Sequence, residues 1–314
     1  MTESGSNENI VNYVVNEDMD GERVDKFMSS LSDSMSRSYI QKLIKDNKVL
    51  VNGKNVKPST TVSEGDTIFM EIPKSIIPDI EPEDIPLDII YEDKDVLVVN
   101  KPKGMVVHPA AGHYNGTLVN ALMYYLGEEL SGINGVMRPG IVHRIDRDTT
   151  GSIIICKNDI AHRSIADQLK EHSINRVYNA ICHGILKDDE GTIKANIGRS
   201  QSDRKKMSVV SAGQGKTAVT HYRVLKRFEQ DKMTYIECKL ETGRTHQIRV
   251  HMAHIGHPLL GDTVYGPSMK SKFKLQGQCL HARTLGFIHP VTGEYIETEA
   301  PLPEYFSHLL DILN

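Results

Sequence analysis

Ile141-Val142-His143-Arg144-Ile145-Asp146-Arg147-Asp148-Thr149-Thr150-Gly151 is the stretch on which the reading of this chain turns. Two carboxylates stand two residues apart among a histidine and two arginines, between an apolar entry and a Thr-Thr-Gly exit. Asp148 and the residues after it have ordinary turn chemistry, so its expected role is a local backbone cap. Asp146 follows the apolar Ile145 and is flanked by Arg144 and Arg147. Local chemistry leaves two roles open for it. One is half of a structural salt bridge, which the neighbouring cations favour; the other is a nucleophile or base.

Two further segments downstream carry chemistry. In Arg176-Val177-Tyr178-Asn179-Ala180, running into His183-Gly184, a lone tyrosine in a strand is ordinarily a packing residue. In Glu241-Thr242-Gly243-Arg244-Thr245-His246-Gln247-Ile248-Arg249-Val250-His251-Met252, Thr245 is expected to cap a helix. Its apolar positions are Ile248, Met252 and Ile255, with Gly256 as the residue after the end and Pro258 as a stop. Arg244 then stands just before the helix start, where the dipole disfavours a cation. It is either simply exposed or has a task such as pairing with a distant carboxylate. His246, His251, His254 and His257 invite a metal reading, but the spacing is not His-Glu-x-x-His and no thiolate or carboxylate completes a site nearby. Helix caps and phosphate contacts account for them more simply, so no metal is expected.

The bulk numbers fit a soluble globular enzyme of two domains, or of one large domain with an appendage. The chain has 314 residues, 39% hydrophobic and 25% charged, with a net charge of −4, so any nucleic-acid binding must come from local patches. Cys156, Cys182, Cys238 and Cys279 are scattered with no C-x-x-C pair, as small buried hydrophobes in a reducing compartment would be. The polar N-terminus carries no signal-like apolar run, and stretches such as Ile153-Ile154-Ile155-Cys156 are too short to span a bilayer. The reading is cytoplasmic, with no membrane.

Residues 1–12 are expected to be disordered, and residues 13–73 to form a small α+β module. In the module, Val24, Phe27, Met28 and Leu31 fall at helical spacing. A second helix starts at Ser36 or Ser38, with Ser38-x-x-Gln41 as a capping box and Ile40, Leu43 and Ile44 as its apolar face. Val49-Leu50-Val51 meets a hairpin turn at Asn52-Gly53, and a strand follows over Thr67–Met70. Residues 74–87, rich in proline and acids, form a linker that should not pack as a core element. From 88 to 314 the chain reads as a larger domain. Strands are expected at Asp95–Asn100 and Met105–His108 around the Lys101–Gly104 turn, and near 177–183, 207–210, 217–226 and 233–241. A helix is expected over Thr117–Leu126, and another capped by Asp159. Helix and strand signals without regular alternation predict an α+β fold.

Between Ser36 and Pro58 lie Arg37, Lys42, Lys45, Lys48, Lys54 and Lys57 against a single acid, Asp46. Lys42 and Lys45 share a helix face that suits phosphates, although a charged helix face is often only solvated. Ser36-Arg37-Ser38, the basic helix and Val49-Leu50-Val51-Asn52-Gly53-Lys54 together resemble an S4-type RNA-binding domain over residues 15–73.

The remaining segments resemble, over nearly the whole chain, the family of RNA pseudouridine synthases with an H-R-L-D catalytic motif. His143-Arg144-Ile145-Asp146 with Thr149-Thr150-Gly151 fits that motif, with Ile in place of the usual Leu. Asn100-Lys101-Pro102-x-Gly104 with His108-Pro109, Arg176-x-Tyr178, Gly243–Arg249, and Leu280-His281-Ala282 followed by Phe287, His289 and Pro290 match the family's other signatures in order. The domain order is that of large-subunit rRNA synthases.

The resemblance implies a mixed, largely antiparallel catalytic sheet over 88–314. It implies Asp146 as catalytic aspartate, Tyr178 as the aromatic stacking on the target uracil, and Arg244 as the cation paired with Asp146. Arg144 is placed near the flipped-out nucleotide. Further RNA contacts are expected from Arg37, Lys42, Lys45, Lys48, Lys54, Arg204, Lys205, Lys206, His246 and Arg249. The implied partner is a stem-loop of large-subunit rRNA, carried in pre-ribosomal particles, met by a monomer without cofactor. The competing readings are a non-catalytic S4-type ribosome-assembly protein and a metal-dependent hydrolase built on the histidines.

Overall fold

A computed structural model of the chain describes residues 10–31, 37–71, 80–109, 114–127, 130–131, 140–200, 203, 206–211, 213–267 and 273–314. Two units divide the chain, Met1–Ile76 and Ile77–Asn314.

The first unit runs β1 (Ile10–Val14), α1 (Val24–Ser30), α2 (Arg37–Lys45), β2 (Val49–Val51), β3 (Lys54–Asn55) and β4 (Thr67–Glu71). Among the described residues its strands form one antiparallel sheet in the order β1-β4-β2-β3. Asn52 and Gly53 both take left-handed backbone, at φ 50° and 72°, which is what a tight hairpin between twisted strands requires. Val24, Phe27 and Met28 from α1 and Ile40, Leu43 and Ile44 from α2 bury against Val49, Val51, Ile68 and Met70. Each such side chain contributes roughly 1.5–3 kcal/mol of burial before ordering entropy is charged against it.

Two expectations fail here. Residues 10–12 are not disordered but start β1, paired with Phe69, Met70 and Glu71 on β4. The second helix runs from Arg37, so Ser38 is already a helical residue rather than the one before the helix. Gln41 instead donates to Asp25 at 2.6 Å.

The second unit contains β5 (Ile89–Glu92), β6 (Val96–Lys101), α3 (Leu118–Leu126), β7 (Thr150–Cys156), α4 (Asp159–Lys170), β8 (Asn175–His183), β9 (Glu190–Arg199), β10 (Met207–Val210), β11 (Lys216–Phe228), β12 (Met233–Leu240), α5 (Gln247–His254), β13 (Leu280–Ile288), β14 (Tyr295–Glu299) and α6 (Glu304–Ile312). Among the described residues they build one ten-stranded sheet, in the order β10-β9-β11-β12-β8-β13-β7-β6-β5, with β14 paired to β13. Within that sheet β13 and β7 are the parallel pair and the other ladders are antiparallel. The fold is therefore α+β with a mixed, largely antiparallel sheet.

The parallel contact between β13 and β7 is short and tight. His281 lies opposite Thr150 and Ala282 opposite Gly151. A Cβ on Gly151 would fall 2.3 Å from the Ala282 carbonyl oxygen, so only glycine lets the two strands approach there.

Local chemistry explains the helix starts. Thr117 caps α3 in a capping box with Asn120. Asn158, not Asp159, caps α4, accepting from the Ala161 N–H at 2.9 Å. Met105–His108 is not a strand; the Val106 and Val107 carbonyls accept from the first N–H groups of α3. The end of the expected linker also packs. Ile80 is buried with Leu97, Leu118 and Leu122, while Glu81 and Glu83 bond to Asn120 through their backbone. A single apolar residue between prolines is enough to pin the segment once a helix end offers it hydrogen bonds. The four cysteines are buried and free.

His281 supplies a pH-dependent prediction. Its ring is fully buried, with Nδ1 2.8 Å from the Thr150 hydroxyl and Nε2 3.2 Å from the Ala300 carbonyl. Burial pushes the imidazole down to about 4. An unfolded histidine takes a proton near pH 6.5 that the folded one refuses. Its stabilising effect is therefore complete above pH 6.5 and is lost as pH falls toward 4, by up to ~3 kcal/mol. Thermal melts from pH 7.5 to 4.5 should show a shallower acid decline for His281→Gln than for wild type. Parallel declines would contradict this.

Candidate active site

The 141–149 segment is held from both ends. Ile141 bridges to Ile155, and the Ile154 N–H donates to His143 Nε2 at 3.1 Å. Burial pushes the His143 imidazole down to about 3, so it acts as a neutral acceptor. Ile145 is buried with Tyr178, Leu240, Ile248 and Leu280. That anchor turns its neighbours Arg144 and Asp146 toward solvent and cavity. Behind them, Lys101 is wholly buried, and its ammonium donates to the carbonyls of Pro102, Met105 and Arg147 at 2.8–2.9 Å. Burial pushes this lysine down to about 7, while the nearby Asp148 and Asp146 oppose the shift. The sequence reading did not single out Lys101 for this clamp on the loop.

Asp146 Oδ2 accepts from Arg249 Nη1 at 2.8 Å, and Oδ1 lies 3.7 Å from His246 Nε2. The same guanidinium grips Asp262 with two bonds, Nε to Oδ2 at 2.7 Å and Nη2 to Oδ1 at 2.9 Å. Asp262 Oδ1 also accepts from the Val264 and Tyr265 N–H groups. Burial alone would lower Arg249, but hydrogen bonds and charge from Asp262 and Asp146 outweigh it and raise it above its ordinary value. The result is a fixed chain, Asp146–Arg249–Asp262, that orients one carboxylate toward the cleft.

This corrects two expectations. Arg244 is not the partner of Asp146. It precedes α5, and its Nε donates to the Thr217 carbonyl on β11 at 3.0 Å. Arg249 is not a surface phosphate contact; it lies on the buried side of α5, 5% exposed. The helix also starts later than Thr245. His246 is the residue before it, in left-handed backbone at φ 56°. His246 Nδ1 lies 2.8 Å from the Tyr265 hydroxyl, which accepts from the Met207 N–H. Burial lowers the His246 imidazole, while the neighbouring Asp146 opposes that shift. Among the described residues Asp148 does not cap a backbone turn; its carboxylate takes two bonds from Arg147, at 3.0 and 3.1 Å.

Two adjoining cavities share Arg144, Asp146, Tyr178, Leu240, Arg244 and His246. Tyr178 comes from β8, opposite Ala282 on β13 and Cys238 on β12. Burial raises its hydroxyl, so the ring enters the cavity as a neutral aromatic. With Leu240, Ile248 and Leu280 it makes an apolar wall facing a carboxylate, a setting that suits a planar polar ring.

The expected basic positions separate by their partners. Arg37 is committed to Asp25, with bonds of 3.1 and 3.2 Å. Burial pushes the Asp25 carboxyl up, but Arg23, Arg37 and Gln41 outweigh it and hold it below the usual carboxylate range. Lys48 is paired to Glu71 at 2.6 Å. Lys42, Lys45 and Lys54 are exposed. Lys206 is half-buried, and Arg204 and Lys205 lie outside the described residues. Three of the four histidines near α5 have different partners: Tyr265 for His246, Thr220 for His251 and the His183 carbonyl for His257.

Residues 95–254 match the model of a family described as RNA pseudouridylate synthase, and residues 22–68 that of the S4 domain. An uncharacterized RNA pseudouridine synthase of Bacillus subtilis is 52% identical, over 97% of this chain and 98% of its own length. Ribosomal large subunit pseudouridine synthase D of Zymomonas mobilis is 48% identical, over 95% of each chain. A solved structure of human RNA pseudouridylate synthase domain containing 1 superposes with a TM-score of 0.57 at 28% identity, over 69% of this chain and 84% of that one.

Proposed function

We propose that this chain, which belongs to the RNA pseudouridylate synthase family and isomerises uridine to pseudouridine in RNA, does so through Asp146 on a stem-loop of large-subunit rRNA. The observation that carries the assignment is the Asp146 carboxylate, fixed by Arg249 and facing the Tyr178 wall of the cavity.

The target uridine leaves its stack to reach the cavity, at a cost of a few kcal/mol. Stacking on Tyr178 recovers roughly 1–3 kcal/mol of that. Asp146 then starts the reaction, either by attack on C1′ with uracil leaving or by taking the 2′ proton to give a glycal. The N1–C1′ bond breaks, the uracil turns in place against Tyr178, and C5 joins C1′. The C5 proton leaves last and N1 ends protonated. The isomerisation is redox-neutral and consumes no water, so its chemistry asks for no cofactor. Arg249 keeps the carboxylate oriented throughout. Arg144, exposed at the cavity rim, is placed to fill the gap left by the flipped nucleotide, and Arg244 to contact the RNA beside it.

The relatives named as large-subunit synthases support rRNA as substrate. All the residues of the site come from one unit of one chain, which supports a monomer. No helix among the described residues is long and apolar enough to cross a membrane. The relatives named for ribosomal RNA support a cytoplasmic enzyme. Pseudouridine mapping of rRNA from cells with and without the gene tests the substrate: specific large-subunit positions should revert to uridine, and an unchanged map would refute it.

The S4 domain is assigned to grip rRNA through Lys42, Lys45 and Lys54, exposed members of its basic series without an ion pair among the described residues. Replacing all three with alanine should flatten the dependence of log Kd on log salt by about 2–3, as expected for three lost phosphate contacts. Turnover on a minimal stem-loop should be unchanged. An unaltered salt slope would remove these lysines from the interface.

A further inference from the structure

The larger cavity beside Asp146, about 340 Å³ in volume, holds more positive charge than its acids answer. Arg144, Arg176 and Arg244 line it, and Asp146, already engaged by Arg249, is the one carboxylate in its wall among the described residues. Arg176 is the unusual member. It is 7% exposed, Nη2 reaches only the Glu241 carbonyl at 3.3 Å, and the buried Nε has no hydrogen-bond partner. Burial, with Arg244 nearby, disfavours its charge. Space has been kept for it: a Cβ on Gly243 would sit 2.5 Å from Arg176 Nη1. Arg176 and Tyr178 are two apart on β8 and so share a face of the strand.

A guanidinium buried without a counter-ion destabilises a fold, so its retention at the cavity wall points to an anion that arrives with the substrate. We propose that Arg176, with Arg244 and Arg144 nearer the rim, forms a subsite for the phosphodiester adjoining the flipped uridine. The inference rests on the reading of Asp146 and Tyr178 as the uridine site, since that reading sets which phosphate is adjacent. Uracil and ribose are neutral, whereas a phosphodiester brings a full negative charge and an oxygen pair that matches the guanidinium fork. Arg176 is thus a substrate-binding residue, holding the backbone while the base turns.

The test uses Arg176→Met, Arg176→Lys and Gly243→Ala in the full-length chain, with a large-subunit rRNA stem-loop ethylated at random phosphates. Bound and free RNA are separated and the ethylated positions mapped. Wild type should reject RNA ethylated at one phosphate next to the target uridine, and Arg176→Met should no longer discriminate there. Its affinity for unmodified RNA should fall ~10–100-fold, the scale of one or two charge-assisted bonds. Its Tm should equal or exceed that of wild type, because an uncompensated buried charge is gone. Arg176→Lys should keep part of the affinity, and Gly243→Ala, which displaces the guanidinium, should behave like Arg176→Met. An interference pattern identical in wild type and Arg176→Met, or a lower Tm with unchanged affinity, would overturn the subsite and leave Arg176 a structural residue. Selection by binding needs no turnover, so a failure of the catalytic reading appears separately, as wild-type enzyme that binds the RNA but converts no uridine.

Discussion

Asp146→Asn should form no pseudouridine above background, a loss of at least ~10⁴-fold, the upper range for removal of a group that acts at the reacting centre. The substitution is isosteric. Its amide oxygen still accepts from Arg249, and Arg249 keeps its two bonds to Asp262. The fold and the cavity walls therefore survive, and what is lost is the charge that attacks C1′ or takes the 2′ proton. RNA affinity should stay within about threefold of wild type, well under 1 kcal/mol. Tritium release from RNA labelled at uridine C5 measures turnover, and filter binding measures affinity. A variant within tenfold of wild-type turnover would refute the proposed role. Loss of binding together with turnover would place Asp146 in RNA recognition instead.

Arg249→Met should be the most damaging single change to stability near the site. It leaves Asp262, a fully buried side chain, with only backbone donors, and frees Asp146 from its one strong partner. Breaking a buried pair by removing one member costs about 3–5 kcal/mol. At roughly 2–4 °C per kcal/mol for a unit of this size, Tm should fall by about 6–20 °C. Turnover should fall ~10²-fold or more, measured well below the melting transition, because the carboxylate is no longer aimed. Arg249→Met with Asp262→Asn should recover much of the Tm and none of the turnover. Arg244→Met, by contrast, removes a bond to a single carbonyl and should leave Tm nearly unchanged. Equal melting for the Arg249 and Arg244 variants would contradict the ion-pair assignment.

The elements that were legible in the sequence are those whose causes are local. The Asn52-Gly53 hairpin, the helix after Thr117 and the strand at Met207–Val210 announce themselves within a few residues. Strand β9 did not. Its buried residues Ile193 and Ile197 are four apart, a helical spacing, and only the ladders with β10 and β11 make the segment extended. The same division runs through the site. Asp146, Tyr178, Arg244, Arg144 and His246 do share a pair of cavities, as their motifs led one to expect. Which cation holds Asp146 was misread, because the choice between Arg244 and Arg249 depends on the face α5 turns inward. An arginine one step from the apolar position Ile248 was the available signal. Arg176 was quoted only as part of a motif, and its lack of a carboxylate partner among the described residues has no trace in the sequence.

The sequence by itself determined the family: the 141–151 motif and its companions follow in order along the chain, while the stretch alone left Asp146 between a salt bridge and a nucleophile. Such information is local, carried by turn-forming residues and spacing that act over a few bonds. The tertiary structure decided the charges. Asp146 and Arg249 are 103 residues apart in the chain, and Arg176 meets a backbone carbonyl rather than a carboxylate among the described residues where Gly243 lies against it. Electrostatic energy depends on separation and burial rather than on order along the chain, so the pairing of Asp146 and the isolation of Arg176 came into being only when the sheet assembled.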